Sequence, residues 1–489
     1  MSGFRNLFKQ TFVYGLATVL PRMLSFLLVP LYTTKGVLSS VAEYGKVSII
    51  FSWFVIFNVI LAYGMETAFF RYFNKEKDEN KVIGTSTIAL IISSFGFTLL
   101  AFLFRNQIAS LTDIKAEYIS LVIWILLLDS LVIIPFSWLR AKEKSTMYAI
   151  IKILNVAINL GLNVFFLLYL KKWAPENSFF ETIYIANFEI NYIFISNLIA
   201  SGVTLFLMLG YYFKIKYVFD SDLFKRMFKY AFPVLIAGIA FAINETFDRI
   251  LLDYLLPPDI AETKVGMYSA CYKIAVFMTL FATAYRLGIE PYFFSHAKTE
   301  NPQKNYAKIL EFFVAFGSIM VLSVVVFADI LKPYIVRDSA YWEAMWIVPF
   351  ILLANFFLGI YHNLSVWYKI TDRTKMGAYI SVFGAILTLG LNFWLIPIIG
   401  YKGCAIATLV AYGTMMVASY YYGQKYYPIP YNLKKMSLYL LVSSAFSVIS
   451  FYVYRDNFWV GMMLLICYLL FVYICERKQL SQLFKKQLT

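Results

Sequence analysis

Leu160-Gly161-Leu162-Asn163 returns as Leu389-Gly390-Leu391-Asn392, 229 residues further along the chain. At the same spacing Trp138 meets Trp367, Arg140 meets Lys369, Lys144 meets Arg373, Met147 meets Met376 and Ala149 meets Ala378. A second stretch, Gly64-Met65-Glu66-Thr67-Ala68-Phe69-Phe70, matches Gly288-Ile289-Glu290-Pro291-Tyr292-Phe293-Phe294 at an offset of 224. Phe8-Lys9 matches Phe228-Lys229 at 220, and Gly45 matches Gly266 at 221. Four stretches in one order at a nearly constant offset mark an internal duplication. Generic likeness between apolar helices does not align charged loop positions in this way.

The duplicated unit is a membrane unit. Of the 489 residues, 61% are hydrophobic and 15% charged, with a mean hydropathy of +0.69. Soluble globular chains run at about 45–50% apolar and about 25% charged. This composition excludes an ordinary soluble enzyme, a disordered chain and a secreted disulfide scaffold. A spanning helix needs about 20 mainly apolar residues, and fourteen segments qualify. They are α1 (10–32), α2 (45–66), α3 (83–104), α4 (116–138), α5 (146–170), α6 (191–213), α7 (229–256), α8 (266–290), α9 (306–330), α10 (342–364), α11 (375–396), α12 (402–422), α13 (436–454) and α14 (458–475). The polar Asn58 in α2 and the Pro257-Pro258 junction after α7 are the weakest points of this division. In α1, Pro21 and Arg22 interrupt the apolar run and no small-residue cleavage site follows, which predicts a retained helix rather than a signal peptide.

Each repeat holds six helices, an even number, so both enter the membrane from the same side and are related by an axis along the membrane normal. The expected fold is an all-α polytopic membrane protein. It has two six-helix pseudo-symmetric lobes, 1–225 and 226–425, around a central cavity, followed by two further helices and a tail in 426–489. The loops leave no room for an extramembrane catalytic domain. The longest, 171–190, is apolar and aromatic and has room for a short interfacial helix.

The net charge of +15 does not indicate nucleic acid, because the basic residues cluster in short loops between apolar runs. With a cytoplasmic N-terminus, 27 of the 43 Lys/Arg fall on inside segments, 11 on outside segments and five within spans. Both termini are therefore expected in the cytoplasm. Cys271, Cys404, Cys467 and Cys475 form no CxxC, and His296 and His362 stand alone, so neither a metal site nor a disulfide framework is expected.

Charged side chains inside spans face a cavity or a partner. On α1, Thr11, Gly15, Thr18, Arg22 and Ser25 make one small, polar face around a deep cation; it is either a cavity wall that meets an anion or a packing seam. On α5, Tyr148, Lys152, Asn155, Asn159 and Asn163 form a stripe that either lines a sugar path or locks helices together. The matching stripe on α11 is Gly377, Ser381, Gly384, Thr388 and Asn392, without the charge. On α7, Glu245 and Arg249 stand four residues apart with Asp248 beside them, a structural ion pair, a cation-coupling site or a gate. Asp253 falls towards the outer interface. Arg286 and Glu290 on α8 repeat the spacing and suggest a pair near the cytoplasmic end. Lys273 has no local partner and is expected in the cavity, and Asp129 on α4 is a partner for Lys152 or a protonatable site. Five cations lie within spans (Arg22, Lys152, Arg249, Lys273 and Arg286), which predicts a positive interior suited to an anionic headgroup.

The duplicated six-helix unit with two added helices resembles the multidrug/oligosaccharidyl-lipid/polysaccharide (MOP) flippase superfamily. Within it, the chain is similar to bacterial polysaccharide flippases of the O-antigen or capsule (Wzx) type. The stretches that carry the likeness are Phe8 to Pro30, Glu43-Tyr44-Gly45, Asp248-Arg249 and Val265-Gly266-Met267-Tyr268-Ser269. The resemblance implies a transporter rather than an enzyme, placed in the bacterial inner membrane. It would move undecaprenyl-pyrophosphate-linked oligosaccharide from the cytoplasmic to the periplasmic leaflet by alternating access. It implies a cationic lumen, matched in residue type by Arg22, Lys152, Arg249 and Lys273, with Asn155 and Asn159 beside them. It implies no cofactor. Coupling to H+ or Na+ would fall at Asp129, Glu245 or Asp248, with Arg286 and Glu290 as gating residues. Membrane lipids and a polysaccharide polymerase are the implied partners, and a monomer suffices. A lipid II flippase, a multidrug or cation antiporter, and a membrane enzyme or scaffold of polysaccharide assembly stand as alternatives in that order.

Overall fold

The computed structural model describes residues 23, 26–295, 301–371 and 373–487, with side chains other than those at 288, 290–292, 294–295 and 478–487. Most of α1, including Arg22, lies outside the described residues. The other thirteen expected spans are all present as long apolar helices: α2 Val41–Phe73, α3 Glu79–Leu103, α4 Ala116–Ala141, α5 Ser145–Glu176, α6 Glu189–Tyr212, α7 Ser221–Leu255 and α8 Pro258–Leu287. They continue with α9 Pro302–Ile335, α10 Ser339–Ile370, α11 Thr374–Ile399, α12 Tyr401–Tyr426, α13 Leu433–Val453 and α14 Phe458–Arg477. The described residues form no strand, only an isolated bridge between Lys35 and Leu38. A helix bonds its own backbone groups, which is what a chain must do in hydrocarbon.

Local sequence explains where the helices begin and end. The Ser40 side chain accepts a hydrogen bond from Glu43 N–H, and the Glu43 carboxylate accepts one from Ser39 N–H at 2.7 Å, a reciprocal cap on α2. Asp220 caps α7 by accepting from the N–H groups of Asp222 and Leu223. That helix starts at Ser221, so residue 225 falls inside its opening turns. Pro258 is the first helical residue of α8, where its missing N–H costs nothing. The apolar 171–190 segment contains short helical turns, among them Ser178–Ile183.

Helices α2 to α6 pack among themselves, as do α7 to α12, and α13 and α14 lie against α9. The two groups meet where α2 crosses α7 and α8. At the centre of the α2/α8 crossing Gly45 faces Gly266, the equivalent positions of the two repeats. A Cβ on Gly45 would sit 1.9 Å from the Glu262 carbonyl oxygen, and one on Gly266 would sit 2.2 Å from that of Val41. Only glycine allows backbones this close. Around this crossing Lys46 pairs with Glu262 at 3.2 Å, and Tyr44 packs edge-on to Tyr341 at 5.9 Å. Asp338 N–H donates to Thr33 O and Arg337 N–H to the Thr33 hydroxyl. This is the outer end by the Lys/Arg count. At the other end, polar bonds run from Tyr72 and Glu76 to Arg226, and from Lys81 and Thr85 to Asp220, the cap of α7. By the Lys/Arg count the Gly45–Gly266 crossing, the tightest of the glycine contacts between the groups, is the outer seal, and the inner end is joined as well, where Gly64 lies against Ala231.

The appended pair is tied to the second group by a buried charge network. Lys435 on α13 contacts Glu311 on α9 and lies 2.7 Å from Glu476 on α14. Tyr439 donates to Glu476 at 2.7 Å, and Tyr468 donates to Ser318 on α9 at 2.8 Å.

Candidate substrate cavity

Below the glycine crossing the two groups part around a cavity of about 490 Å³. Its walls come from the end of α1 (Tyr32), from α2 (Tyr44, Ser48), α5 (Asn155, Asn159), α6 (Asn197), α7 (Glu245, Arg249) and α8 (Ser269, Lys273). A second chamber of about 400 Å³ lies within the first group, towards the turns that join α2 to α3 and α4 to α5. It is lined by Asn58, Glu66, Asp129, Phe136, Tyr148, Lys152, Ser201 and Thr204, and shares Asn155 and Asn197 with the first. Both volumes fall within the range of about 300–1,000 Å³ usual for small-molecule sites.

Arg249 is held by neighbours that the sequence reading did not identify. Its Nη1 lies 2.9 Å from Asp248 Oδ1 and donates to the Glu245 carbonyl oxygen at 3.1 Å. The Glu245 carboxylate, expected as the ion-pair partner at i−4, points away into the cavity, so the pair is Asp248–Arg249 instead. The reason is the α7/α8 packing: Tyr268, fully buried, donates its hydroxyl to Asp248 Oδ2 and fixes that carboxylate under the guanidinium. Tyr272 places its ring 4.7 Å from the guanidinium carbon. Asp248 is 3% exposed and Arg249 8%. An unpaired charge at such depth is strongly destabilising, so each requires the other.

Lys273 sits where α8 tightens into a 3₁₀ turn, Lys273–Ala275, in mid-span. A local departure of this kind commonly marks a functional position. Its ammonium lines the central cavity and makes no hydrogen bond or ion pair among the described residues. Glu245 shares that wall and is likewise unpaired among the described residues. In the second chamber Lys152 rests 4.1 Å from the centroid of the Phe136 ring, while Asp129 accepts from the Ser201 hydroxyl at 2.7 Å rather than pairing with Lys152. Glu66 is taken by Arg140 at 2.6 Å. The five cations expected within spans do not all face the cavity unopposed. Arg249 is matched by a buried carboxylate and Lys152 shares its chamber with Asp129, which leaves Lys273 as the cation of the described lining without an opposing ion pair in the central cavity.

The α5 stripe does both things expected of it, at different depths. Asn163 is fully buried, accepts from the Tyr32 hydroxyl at 2.8 Å and donates to Asn159. Asn155 donates to Thr204 at 2.9 Å and, with Asn159, still lines the cavity. The matching α11 stripe does not line it. Thr388 donates to Asn244 Oδ1 at 2.7 Å, Asn244 donates to the Ser381 carbonyl at 3.3 Å, and a Cβ on Gly384 would meet Met415 at 2.4 Å. Here the small residues let α11 pack against α7 and α12.

Asp253 lines a separate outer cleft of about 250 Å³ with Lys46, Asp113 and Glu262. Arg286 stands at the opposite end near His362 and Lys369. The side chain of Glu290, its expected partner, lies outside the described residues, as does Arg22. Sequence reasoning missed Tyr268, Asn58 and the α6 face of Asn197, Ser201 and Thr204. The last was legible as a polar run at steps of four and three residues.

A family model described as polysaccharide biosynthesis protein matches residues 7–297. Comparison with curated proteins gives no match. Among solved structures, the lipid II flippase MurJ in an inward closed conformation superposes with a TM-score of 0.70 over 96% of this chain and 100% of that one, at 17% identity. An inward-facing multidrug resistance MATE family transporter of the MOP superfamily gives 0.65 over 86% and 96%, at 12% identity. A MOP superfamily transporter from Pyrococcus furiosus, described for the reverse polarity of its binding pocket, gives 0.59 over 88% and 96%, at 13% identity. At such identities the shared property is the fold.

Proposed function

Since the chain belongs to the polysaccharide biosynthesis protein family, and has the fold of MOP superfamily transporters, we propose that it is a flippase for undecaprenyl-pyrophosphate-linked oligosaccharide. It carries that lipid from the cytoplasmic to the periplasmic leaflet of the bacterial inner membrane, with both termini in the cytoplasm, by alternating access. The observation that supports this reading best is Lys273. An ammonium held in a cavity between two helix groups without an ion-pair partner among the described residues is matched by an anion that comes and goes. A pyrophosphate at Lys273 also reaches the cavity side of Arg249, whose orientation Asp248 and Tyr268 fix in advance. The polyprenyl tail stays in lipid while the head crosses between the groups. No bond is made or broken; the drive is an ion gradient, the membrane potential or downstream consumption of the glycan, and for the first of these Glu245 in the central cavity and Asp129 in the second chamber are the carboxylates for H+ or Na+.

The test is purified protein in liposomes containing fluorescent undecaprenyl-pyrophosphate oligosaccharide, scored by the label reaching the opposite leaflet, with and without a proton or sodium gradient. Lys273→Met is expected to slow transfer about tenfold or more while leaving a folded protein. Equal rates for the variant and the parent refute the role of Lys273. Transfer of lipid II, or of a cationic dye, in place of the oligosaccharide lipid assigns the chain to those cargoes instead.

A further inference from the structure

The second chamber has a chemistry of its own. In the central cavity Arg249 is already matched by Asp248, and Lys273 shares the wall with Glu245 without pairing to it among the described residues. In the second chamber the charges cancel: Lys152 faces Asp129, and Glu66 is bound by Arg140. What remains there is hydrogen-bonding capacity. Asn58 lines only this chamber, Asn197 lines both, and neither makes a hydrogen bond among the described residues. Asn155 spends its amide N–H on Thr204 and keeps its carbonyl. Asp129 spends one oxygen on Ser201. The Lys152 ammonium is held by a ring face alone among the described residues, which a hydrogen-bonding ligand displaces more easily than an ion pair. Between these polar groups, on the same helices, stand the apolar side chains of Val59, Ala62, Val132, Ile133 and Phe136. Amides, a carboxylate and an ammonium interspersed with apolar and aromatic side chains match the mixed surface of a pyranose ring, which presents hydroxyls and C–H groups together.

We infer that this chamber binds an uncharged sugar residue of the cargo, beside the pyrophosphate in the central cavity, with Asn155 and Asn197 at the passage between them. The inference rests on the flippase reading above. Charge balance sets the class: an acidic sugar finds no surplus cation in this chamber, whereas a neutral one satisfies amides that otherwise lack partners.

The experiment measures binding to the full-length protein in nanodiscs by native mass spectrometry. Three probes are used: undecaprenyl pyrophosphate, the same lipid carrying one N-acetylglucosamine, and the same lipid carrying one galacturonate. The N-acetylglucosamine lipid is expected to bind about tenfold more tightly than the bare pyrophosphate, and the galacturonate lipid no more tightly than the bare one. Asn58→Leu and Lys152→Met, which break no hydrogen bond within the protein, are expected to remove that preference and leave the bare lipid's affinity within about twofold. Lys273→Met is expected to weaken all three probes alike. No preference in the parent protein, a preference that survives both variants, or an equal loss of all probes in the chamber variants overturns the inference. If the parent binds the bare pyrophosphate no better than an uncharged polyprenol, the flippase reading fails first.

Discussion

Replacing Gly266 by alanine adds one carbon at the point where the two helix groups touch. Its Cβ would lie 2.2 Å from the Val41 carbonyl oxygen and 3.0 Å from Val41 Cγ1. Ordinary contact begins at 3.4 Å, so α2 and α8 must separate by about 1.2 Å there; at Gly45 the corresponding figure is about 1.5 Å. The nearest obstructing atom at both positions is a backbone carbonyl oxygen, which no side-chain rotation moves. Overpacking of this kind costs about 1–3 kcal/mol. The cost falls on the arrangement in which the outer ends touch and is absent once they part. The balance between the two therefore shifts by roughly five- to 150-fold towards an open outer end. Ser48 lines the central cavity and serves as reporter. Ser48→Cys is placed in a background with Cys467 and Cys475 changed to serine, and Cys271 and Cys404, both buried, retained. A membrane-impermeant maleimide is then added from the periplasmic side. Labelling is expected to be slow in the parent and at least about tenfold faster with Gly266→Ala or Gly45→Ala. Unchanged labelling in a folded alanine variant refutes the assignment of this crossing as the outer seal.

Three other outcomes follow from contacts already described. Asp248→Leu leaves the Arg249 guanidinium buried without its counterion and is expected to lower stability by about 3–5 kcal/mol in detergent melts, with Asp248→Leu/Arg249→Met regaining most of the loss. Lys435→Met strands two carboxylates beneath α13; it is expected to lower the melting temperature, and Glu476→Gln added to it to restore part of the loss. The third concerns pH. The Leu223 N–H, helped by Lys81 and the Asp222 N–H, holds the Asp220 carboxyl below the usual aspartate range. The unfolded chain therefore takes up the proton first. Asp220 contributes stability above about pH 4, and that contribution fades as the pH falls through its lowered folded value. Asp220→Ala is expected to flatten the acid limb of the stability profile, and an unchanged limb counts against the cap.

The fold was legible because hydropathy reports burial in lipid directly, and because Lys/Arg positions and the repeat offsets report connectivity. The short motifs proved to have physical content. Glu43 caps α2, Tyr44 packs on Tyr341, Gly45 meets Gly266, and Tyr268 holds Asp248 beside Arg249. What the sequence did not give was the partner across a helix interface. Spacing on α7 favoured Glu245 for Arg249, since i,i+4 side chains share a face. A tyrosine twenty residues away decided the matter by pinning the adjacent aspartate. The two stripes on α5 and α11 look alike as strings, yet one lines a cavity and the other a packed seam. The difference lies in Asn244 of α7, which bonds α11 and has its counterpart in no single-helix pattern.

The meeting of Gly45 with Gly266 is a contact between a position and its own copy. Such an interface is isologous: each side presents the same patch, and one rotation generates the other. A half-length chain of six helices, pairing with a second copy of itself in the same orientation, would form this crossing from a single glycine, on the axis, without any further sequence to specify it. Fusion of the two copies then freed the remaining positions to diverge, and they have: Lys152 and the asparagines line a chamber in the first half, while the second half has packed the matching face shut. The glycine contact keeps the symmetry of the repeats, and the lining of the second chamber departs from it.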